Sequence, residues 1–290
     1  CKYAIDVDQQ IYADDNFERQ LPLFKINQAD FESFELWLIQ FSNKVGFTIP
    51  VERPLIHKKK YKKVDFEVVE RTDLNVDDTF LLRLRPASKI DFRSGDLLAI
   101  FPNNDEMVRQ YSIARVDGDI LLSIKKHELG RGSNFLYGLE TGQFFKAAID
   151  VNPHFHLPKN ANNSIFISNG TGIAPFLGMI SENTVQNTTL FWGGRTRASQ
   201  SLYDDILQKS RSGLKNFNLF ATYSREGQRQ YIQDAVLEQK ELVLQTINEK
   251  GTIMLCGSLA MQHDVLDVIE KILEGNQQIT FEAFEQSDQL

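Results

Sequence analysis

The chain has 290 residues, of which 42% are apolar and 24% charged, so it is long enough for about two globular domains with their own cores. A net charge of -7 argues against nucleic acid as the main partner, and no apolar run approaches the roughly 18 residues that a membrane helix needs. The polar N-terminus does not read as a signal peptide, and two cysteines, Cys1 and Cys256, exclude a disulfide framework and a protein-bound iron–sulfur cluster, so we expect a cytoplasmic protein.

The first 45 residues are acidic and aromatic, and a helix is predicted over residues 28–43. Its apolar residues fall at helical spacing on one face: Phe31, Phe34, Leu38 and Phe41. Such a helix needs a packing partner, and little apolar sequence precedes it. We therefore interpret residues 1–45 as the last part of a domain that begins upstream.

Residues 46–61 are predicted to form a linker, because Gly46, Pro50 and Pro54 interrupt any regular pattern. The linker runs into a basic stretch at residues 57–63 (HKKKYKK). We interpret this stretch as the solvated edge of a strand. The alternative is a docking patch for an acidic electron carrier.

From Val64 the pattern changes to the period-two alternation of half-buried strands. The alternating runs are Val64–Val68, Phe80–Leu84, Leu97–Phe101 and Ile120–Ile124. Gly95-Asp96 and Asp117-Gly118 mark turns between them. Many short strands with few helices predict a small antiparallel β-barrel over residues 62–158. Near its end, His154 and His156 have the spacing of metal ligands, but without a third ligand nearby we interpret both as facing solvent.

After Pro158, short apolar strands alternate with helices, which predicts an α/β domain with a parallel sheet over residues 159–290. The predicted strands are Ser164–Ser168, Thr189–Gly193, Phe217–Tyr223 and Thr252–Cys256. The predicted helices are Pro175–Glu182, Ser201–Lys209, Ile232–Glu249 and Leu259–Leu273. Ligands of such sheets bind beyond the carboxyl ends of the strands.

The first predicted strand of this domain runs into a glycine turn and then a helix. Gly170 and Gly172 permit a tight turn and a close approach of a ligand to the backbone, and Pro175 suits the start of a helix. The free N–H groups of that helix would face an anion, for which a phosphate is the natural candidate. The alternative is an ordinary strand-to-helix corner, since the dinucleotide fingerprint with three spaced glycines is absent.

Five short motifs, in order over about three-quarters of the chain, resemble those of one family. Residues 109–112 (RQYS) fit R-x-Y-S, residues 130–133 (GRGS) fit G-x-x-S/T, and residues 170–176 (GTGIAPF) fit G-T-G-x-A-P-F. Ser224-Arg225, with Arg229 and Tyr231, resembles a phosphate site for NADP, and Cys256-Gly257 resembles the C-G beside the nicotinamide. Together they resemble the ferredoxin-NADP reductase superfamily.

Within that superfamily the sequence is most similar to the diflavin reductases, such as sulfite reductase flavoprotein and the NADPH-haemoprotein reductases. Residues 229–233 (RQYIQ) stand where those proteins carry K-V-Y-V-Q. Residues 1–45 look like the end of a flavodoxin-like FMN domain. Pro102 is followed closely by Arg109, so the long connecting domain of the large enzymes is missing and the chain resembles compact bacterial members.

The resemblance implies an FAD-binding barrel joined to an NADP-binding α/β domain, and an NADPH-dependent flavoprotein reductase. Such a module accepts hydride from NADPH and passes single electrons to an FMN domain, a flavodoxin or a haem partner. FMN itself would be a cofactor only if an upstream flavodoxin-like domain is present, and membrane attachment would come only through a missing N-terminal part. The alternatives are a free-standing NAD(P)H:flavin or ferredoxin reductase and a non-catalytic flavin-binding electron-transfer module.

By the same resemblance, Ser112 and Cys256 are the predicted catalytic residues, beside the flavin N5 and the reacting nicotinamide carbon. The predicted FAD-binding residues are Arg109, Gln110, Tyr111, Ser112, Ser123, Ile124, Lys125, Gly130, Arg131, Gly132 and Ser133. The predicted NADP-binding residues are Thr171, Gly172, Ser224, Arg225, Arg229, Tyr231, Gln233 and Asp264. No metal ligands are predicted.

The donors at Ser224, Arg225, Arg229 and Tyr231 predict NADPH rather than NADH, because they can bind the additional 2′-phosphate. An acidic residue that binds free ribose hydroxyls is missing from this loop, unless Glu226 takes that role. Diflavin reductases end in an aromatic residue that covers the flavin, preceded by an acidic one, whereas this sequence stops at Gln289-Leu290. We therefore expect truncation at both ends and assign neither role.

Overall fold

The computed structural model describes residues 31–46, 60–102, 108–159, 163–182, 187–213 and 216–275. The chain divides into two compact units, residues 1–60 and 61–290. In the first unit the described element is helix α1, Phe31–Val45, in which Leu38 is buried and the rings of Trp37 and Phe41 stack with centroids 5.4 Å apart. This helix overlaps the predicted one, whose first three residues lie outside the described ranges, as do most of the predicted linker and residues 276–290.

The second unit begins with seven antiparallel strands. They are β1 (Val64–Arg71), β2 (Thr79–Pro86), β3 (Leu97–Ile100), β4 (Arg109–Ser112), β5 (Ala114–Val116), β6 (Asp119–Lys125) and β7 (Phe144–Asp150). Their order in the sheet is β4-β3-β7-β1-β2-β6-β5. Helix α2, Arg131–Tyr137, lies between β6 and β7.

The alternation in these strands places one side chain of every two in a common apolar core. Phe66, Leu82, Leu98 and Ile120 from four different strands are fully buried in it. The opposite face of β2 and β6 is also partly buried, although alternation alone predicts a polar face there. Leu81 of β2 and Leu121 of β6 are the buried residues on this face. They belong to the core of the following α/β region, so the two sheets share an apolar boundary.

The second sheet is parallel and has four described strands in the order β10-β9-β8-β11. These are β8 (Asn163–Asn169), β9 (Asn187–Gly194), β10 (Phe217–Tyr223) and β11 (Thr252–Cys256). The chain passes from β8 outward through β9 to β10 and then returns to the other side of β8 with β11. Strand order therefore reverses at β8, and the crevice at its carboxyl end is where ligands of such sheets bind. The predicted fold class, an antiparallel sheet followed by a parallel one, is confirmed.

Helices connect the parallel strands. They are α3 (Ala174–Glu182), α4 (Arg197–Gln200), α5 (Asp204–Gly213), α6 (Ile232–Glu238), α7 (Lys240–Asn248) and α8 (Leu259–Glu274). Short 3₁₀ turns, Gly170–Ile173 and Ser201–Tyr203, precede α3 and α5. The single helix predicted over Ile232–Glu249 is wrong, because Gln239 leaves the helical region (φ -100°, ψ 28°) and separates α6 from α7.

Helix α3 fixes the antiparallel sheet against the parallel one. A Cβ atom added at Gly178 would lie 2.2 Å from Ser94 Oγ, 2.6 Å from Arg115 N and 2.9 Å from Ala114 Cα. Only a glycine lets the helix approach β5 this closely. At the end of the same helix, the pKa of the Glu182 carboxyl is raised by burial, against the opposing charge of Arg115. The relative position of the two sheets is thus set by backbone contact.

The segment between the two sheets is held by a buried carboxylate. His156 Nε2 lies 2.7 Å from Asp96 Oδ1, which also accepts a hydrogen bond from Asn152 N at 2.8 Å. The His156 side chain is only 15% exposed, so the interpretation of this residue as facing solvent is wrong. The carboxylate of Asp96, which the motif analysis treated as part of a turn, is the partner that draws the imidazole inward.

Candidate functional site

A cleft of about 760 Å³ lies between the two sheets, at the carboxyl ends of the parallel strands. Its volume is in the range of cofactor-binding clefts. Predicted residues from four of the five motif regions line the cleft, whereas residues 130–133 do not. Those on its wall are Gln110, Tyr111, Ser112, Ser123, Lys125, Thr171, Gly172, Ser224, Tyr231, Gln233, Cys256 and Asp264.

The glycine turn after β8 is packed against the end of β11. A Cβ atom at Gly172 would lie 2.2 Å from the Cys256 carbonyl oxygen, so no other residue fits without a shift of backbone. Asn169 links the same two turns, since its Oδ1 accepts from Ser258 N at 2.9 Å and its Nδ2 donates to Ser258 Oγ at 3.0 Å. The predicted phosphate turn and the predicted nicotinamide-side turn therefore form one rigid wall of the cleft.

The two predicted catalytic residues, one from each sheet, meet in this cleft. Ser112 ends β4 and Cys256 ends β11, and both residues line the cleft. Burial raises the pKa of the Cys256 thiol to about 11, and the neighbouring Ser112 side chain opposes that rise. The thiol is therefore protonated at neutral pH and adds no negative charge to the cleft.

The predicted FAD residues of β4 converge with the start of α2. A Cβ atom at Gly132 would lie 2.6 Å from Tyr111 Oη and 3.1 Å from Arg109 Cγ, so a glycine is needed for this contact. Burial raises the pKa of Tyr111, whereas the charge of Arg109 lowers it. Together these residues offer an aromatic face, a guanidinium and helix N–H groups, which are the groups that an isoalloxazine and a pyrophosphate require.

The remaining predicted FAD residues have local roles as well. Ser133 Oγ accepts from His127 N at 3.1 Å and donates to Gly130 O at 3.2 Å, so it shapes the turn that leads into α2. Arg131 begins the helix. The Ile124 side chain is buried in the core of the antiparallel sheet, which leaves only its backbone for a ligand.

The predicted 2′-phosphate residues lie on the loop after β10. Ser224 and Tyr231 line the cleft, while Arg225 and Arg229 are exposed beside it. Glu226, the acidic residue that could serve an NADH site, instead accepts a hydrogen bond from Arg197 N at 2.6 Å. Its carboxylate is thereby used at the start of α4, where the free N–H groups of a helix favour an anion.

Gln233 and Asp264 come together at the edge of the cleft, with Gln233 Nε2 3.5 Å from Asp264 Oδ2. They lie on α6 and α8, whose approach could not be read from the sequence. Ser123 has a hydrogen-bond partner from the α/β region. Its Oγ lies 2.8 Å from Oη of Tyr203, in the turn before α5, and both side chains are buried.

Other cleft residues were missed by the motif analysis. Trp192 donates from Nε1 to Gly170 O at 3.1 Å and so supports the glycine turn. Arg195 and Asp77 form an ion pair at 3.2 Å across the two sheets, and Tyr203 completes this wall. Arg195 carried a usable signal, a cation directly after a predicted parallel strand, whereas Asp77 and Tyr203 reach the cleft only through the packing of the sheets.

Comparison with protein families matches residues 166–267 to the oxidoreductase NAD-binding domain. The matched residues begin in β8 and end in α8, and they therefore include the glycine turn, the loop after β10 and Cys256.

Two reductases are similar to about half or more of this chain. The NADPH–cytochrome P450 reductase of Candida maltosa is 33% identical over 149 residues, which cover 47% of this chain and 22% of that protein. The sulfite reductase [NADPH] flavoprotein alpha-component of Aliivibrio fischeri is 33% identical over 199 residues, covering 61% of this chain and 33% of that protein. The matched region thus spans about a fifth to a third of the length of these relatives.

Among solved structures, a ferredoxin-NADP+ reductase from Plasmodium falciparum superposes with a TM-score of 0.64 at 22% identity, over 72% of this chain and 91% of that one. The fold is therefore that of ferredoxin-NADP reductases. The recognition made from the five motifs is confirmed: the chain is similar in sequence to NADPH–cytochrome P450 reductases and sulfite reductase flavoproteins, and it has the fold of ferredoxin-NADP reductases.

None of the helices in the described ranges is long and apolar enough to cross a membrane. Within the same ranges, no three side chains of the metal-binding types cluster.

Proposed function

We propose that the chain is an NADPH-dependent FAD oxidoreductase module that passes single electrons to an FMN domain, a flavodoxin or a haem partner. The observation that carries this proposal is the meeting of Ser112 and Cys256 in one cleft whose walls hold both sets of predicted cofactor residues. Two substrates that exchange hydride must lie in contact, and a cleft built from both sheets provides that arrangement. The proposed parts of the chain are the end of a flavodoxin-like FMN domain (residues 1–45), a linker (46–61), an FAD-binding barrel (62–158) and an NADP-binding α/β domain (159–290).

FAD fits the side of the cleft formed by β4. Arg109 would pair with the pyrophosphate and Tyr111 would supply the aromatic face, and the missing Cβ of Gly132 lets both side chains pack against the start of α2. Bound FAD would take up hydride and release its electrons one at a time, which is chemistry that no amino-acid side chain supplies.

NADPH fits the side formed by the parallel sheet. The glycine turn at residues 170–172 offers backbone N–H groups at a point where strand order reverses, and Ser224 and Tyr231 add donors farther along the cleft. Arg225 and Arg229 place two cations beside those donors, whereas Glu226 is occupied with Arg197 N. This balance of charge favours the nucleotide with the 2′-phosphate.

Ser112 and Cys256 would prepare the reacting region without adding charge. The Cys256 thiol keeps its proton because burial raises its pKa to about 11. The Ser112 hydroxyl can donate or accept, so it can follow a change of protonation on a neighbouring ring nitrogen.

The proposal is tested by loading the purified chain with FAD and titrating it anaerobically with NADPH while recording the visible absorbance of the flavin. Stoichiometric bleaching by NADPH, and slower bleaching by NADH, is the expected result. A protein that binds FAD but is not bleached by either nucleotide would be a flavin-binding module. A protein that stays colourless with added FAD would refute the proposal.

The electron acceptor is tested separately by adding flavodoxin or cytochrome c to the reduced protein and following reoxidation under anaerobic conditions. Rapid reoxidation by a one-electron protein acceptor supports an electron-transfer module. Reoxidation by free flavin alone would instead favour the free-standing NAD(P)H:flavin reductase.

A further inference from the structure

An ion pair between the two sheets lies within the cleft. Arg195, directly after β9, places Nη1 3.2 Å from Oδ1 of Asp77 in the turn between β1 and β2. The Asp77 side chain is 16% exposed and that of Arg195 is 41% exposed, and both residues line the cleft. The pair is therefore partly shielded from solvent, where charges interact more strongly than at an open surface.

The carboxylate of Asp77 is held in a rigid turn. Asn75 Oδ1 accepts from Asp77 N at 2.9 Å and from Thr79 N at 3.0 Å, which fixes the backbone on both sides. Asn75 Nδ2 in turn donates to Ser199 O at 3.3 Å, so the turn is attached to the nucleotide-binding side without help from Arg195. Asp77 consequently remains in place when Arg195 moves.

Arg195 is the member of the pair that can change partners. Its carbonyl accepts from Arg225 N at 2.9 Å, so its backbone adjoins the predicted phosphate residues, while its long side chain is free to rotate. Besides this pair, the charged side chains that line the cleft are Lys125 and Asp264, and their charges cancel. Among the described residues, Arg195 and Lys125 are therefore the two cations that line the cleft, and the ion pair with Asp77 keeps Arg195 away from the phosphates of a dinucleotide.

We infer that Asp77 limits the affinity of the cleft for the phosphorylated nucleotide, because it holds the Arg195 guanidinium, which has to leave the carboxylate before it can bind a phosphate. This inference rests on the proposed function. Binding of the nucleotide has to exchange the Asp77 carboxylate for a phosphate as the partner of Arg195. Product release reverses the exchange, since the carboxylate is already in position to recapture the guanidinium.

The test compares NADP+ binding to the full chain by isothermal titration calorimetry for wild type, Asp77→Asn and Asp78→Asn. Asp77→Asn is expected to lower Kd about fivefold, the equivalent of the roughly 1 kcal/mol that a partly exposed ion pair contributes. Asp78→Asn is the matched control, because it removes the same charge from the exposed neighbour, whose φ of 57° asparagine tolerates. Its Kd is expected to stay within about twofold of wild type.

An Arg195→Gln background shows whether Asp77 acts through Arg195. Arg195→Gln alone is expected to weaken NADP+ binding, and adding Asp77→Asn to it is expected to change Kd by less than about twofold. An equal gain in both backgrounds, an equal gain from Asp78→Asn, or no gain from Asp77→Asn would overturn the inference. If wild type binds NADP+ and one of these outcomes is found, the inference fails but the proposed function stands. If wild type does not bind NADP+, both the inference and the proposed function are refuted.

Discussion

Replacing Gly178 by alanine should move the two sheets apart. The added methyl group would lie 2.2 Å from Ser94 Oγ, 2.6 Å from Arg115 N and 2.9 Å from Ala114 Cα. The serine hydroxyl can rotate away, but the two backbone atoms cannot, so helix α3 must shift away from β5 by roughly 1 Å to restore ordinary contact distances near 3.5 Å. The single methyl group therefore acts as a wedge between the sheets.

The expected cost combines two opposing effects. Overpacking of a rigid contact costs about 1–3 kcal/mol, and replacing glycine by alanine within a helix returns about 0.5–1 kcal/mol. We expect a net loss of about 1–2 kcal/mol in the free energy of unfolding, by the same two effects. The displacement should also loosen the contact between Ser112 and Cys256, because the two residues belong to the sheets that α3 holds together.

The measurements are urea unfolding and the rate of Cys256 alkylation in a Cys1→Ser background. Gly178→Ala should lower the unfolding midpoint and accelerate alkylation several-fold under conditions where the protein is folded. Gly138→Ala is the control, since its added methyl group would meet the nearest atoms at an ordinary 3.4 Å. Wild-type stability together with a wild-type alkylation rate in Gly178→Ala would refute the view that backbone contact at this glycine sets the cleft.

The other predictions concern the coenzyme, the thiol and the wall of the cleft. Arg225→Ala should raise KM for NADPH by about tenfold or more and leave KM for NADH nearly unchanged, because a charge-assisted hydrogen bond is worth roughly 1.5–3 kcal/mol; equal effects on both coenzymes would contradict the 2′-phosphate assignment. Alkylation of Cys256 in the Cys1→Ser background should be slow at neutral pH, and its rate should rise with an apparent pKa of about 11, since burial favours the protonated thiol. A midpoint of this pH–rate profile near the ordinary pKa of cysteine would show that the thiol is exposed. Tyr203→Phe should lower the unfolding free energy by about 1–2 kcal/mol because it leaves the buried Ser123 hydroxyl without its partner; unchanged urea unfolding would argue that water replaces the lost bond.

The strands and the glycine turn could be predicted because each depends on neighbouring residues alone. Phe217–Tyr223 and Thr252–Cys256 have the bounds predicted for them, since each is a short, mostly apolar run that ends at a polar residue or a glycine. The break at Gln239 could not be predicted, because helical propensity continues through this residue.

The sequence by itself determined which chemical groups this protein brings to a cofactor. These are a serine and a cysteine at two strand ends, an arginine and a tyrosine separated by one residue, and a cluster of cations after a strand. Their types and order survive in any arrangement of the chain, so local pattern and family resemblance suffice to find them. Only the tertiary structure decided which of them meet. The meeting of Ser112 and Cys256, the ion pair of Arg195 with Asp77 and the withdrawal of Glu226 to Arg197 N all join residues distant in the chain. The first two depend on how closely helix α3 can approach β5, and the third depends on how the loops after β9 and β10 lie together. Both are properties of packing, which no local pattern encodes.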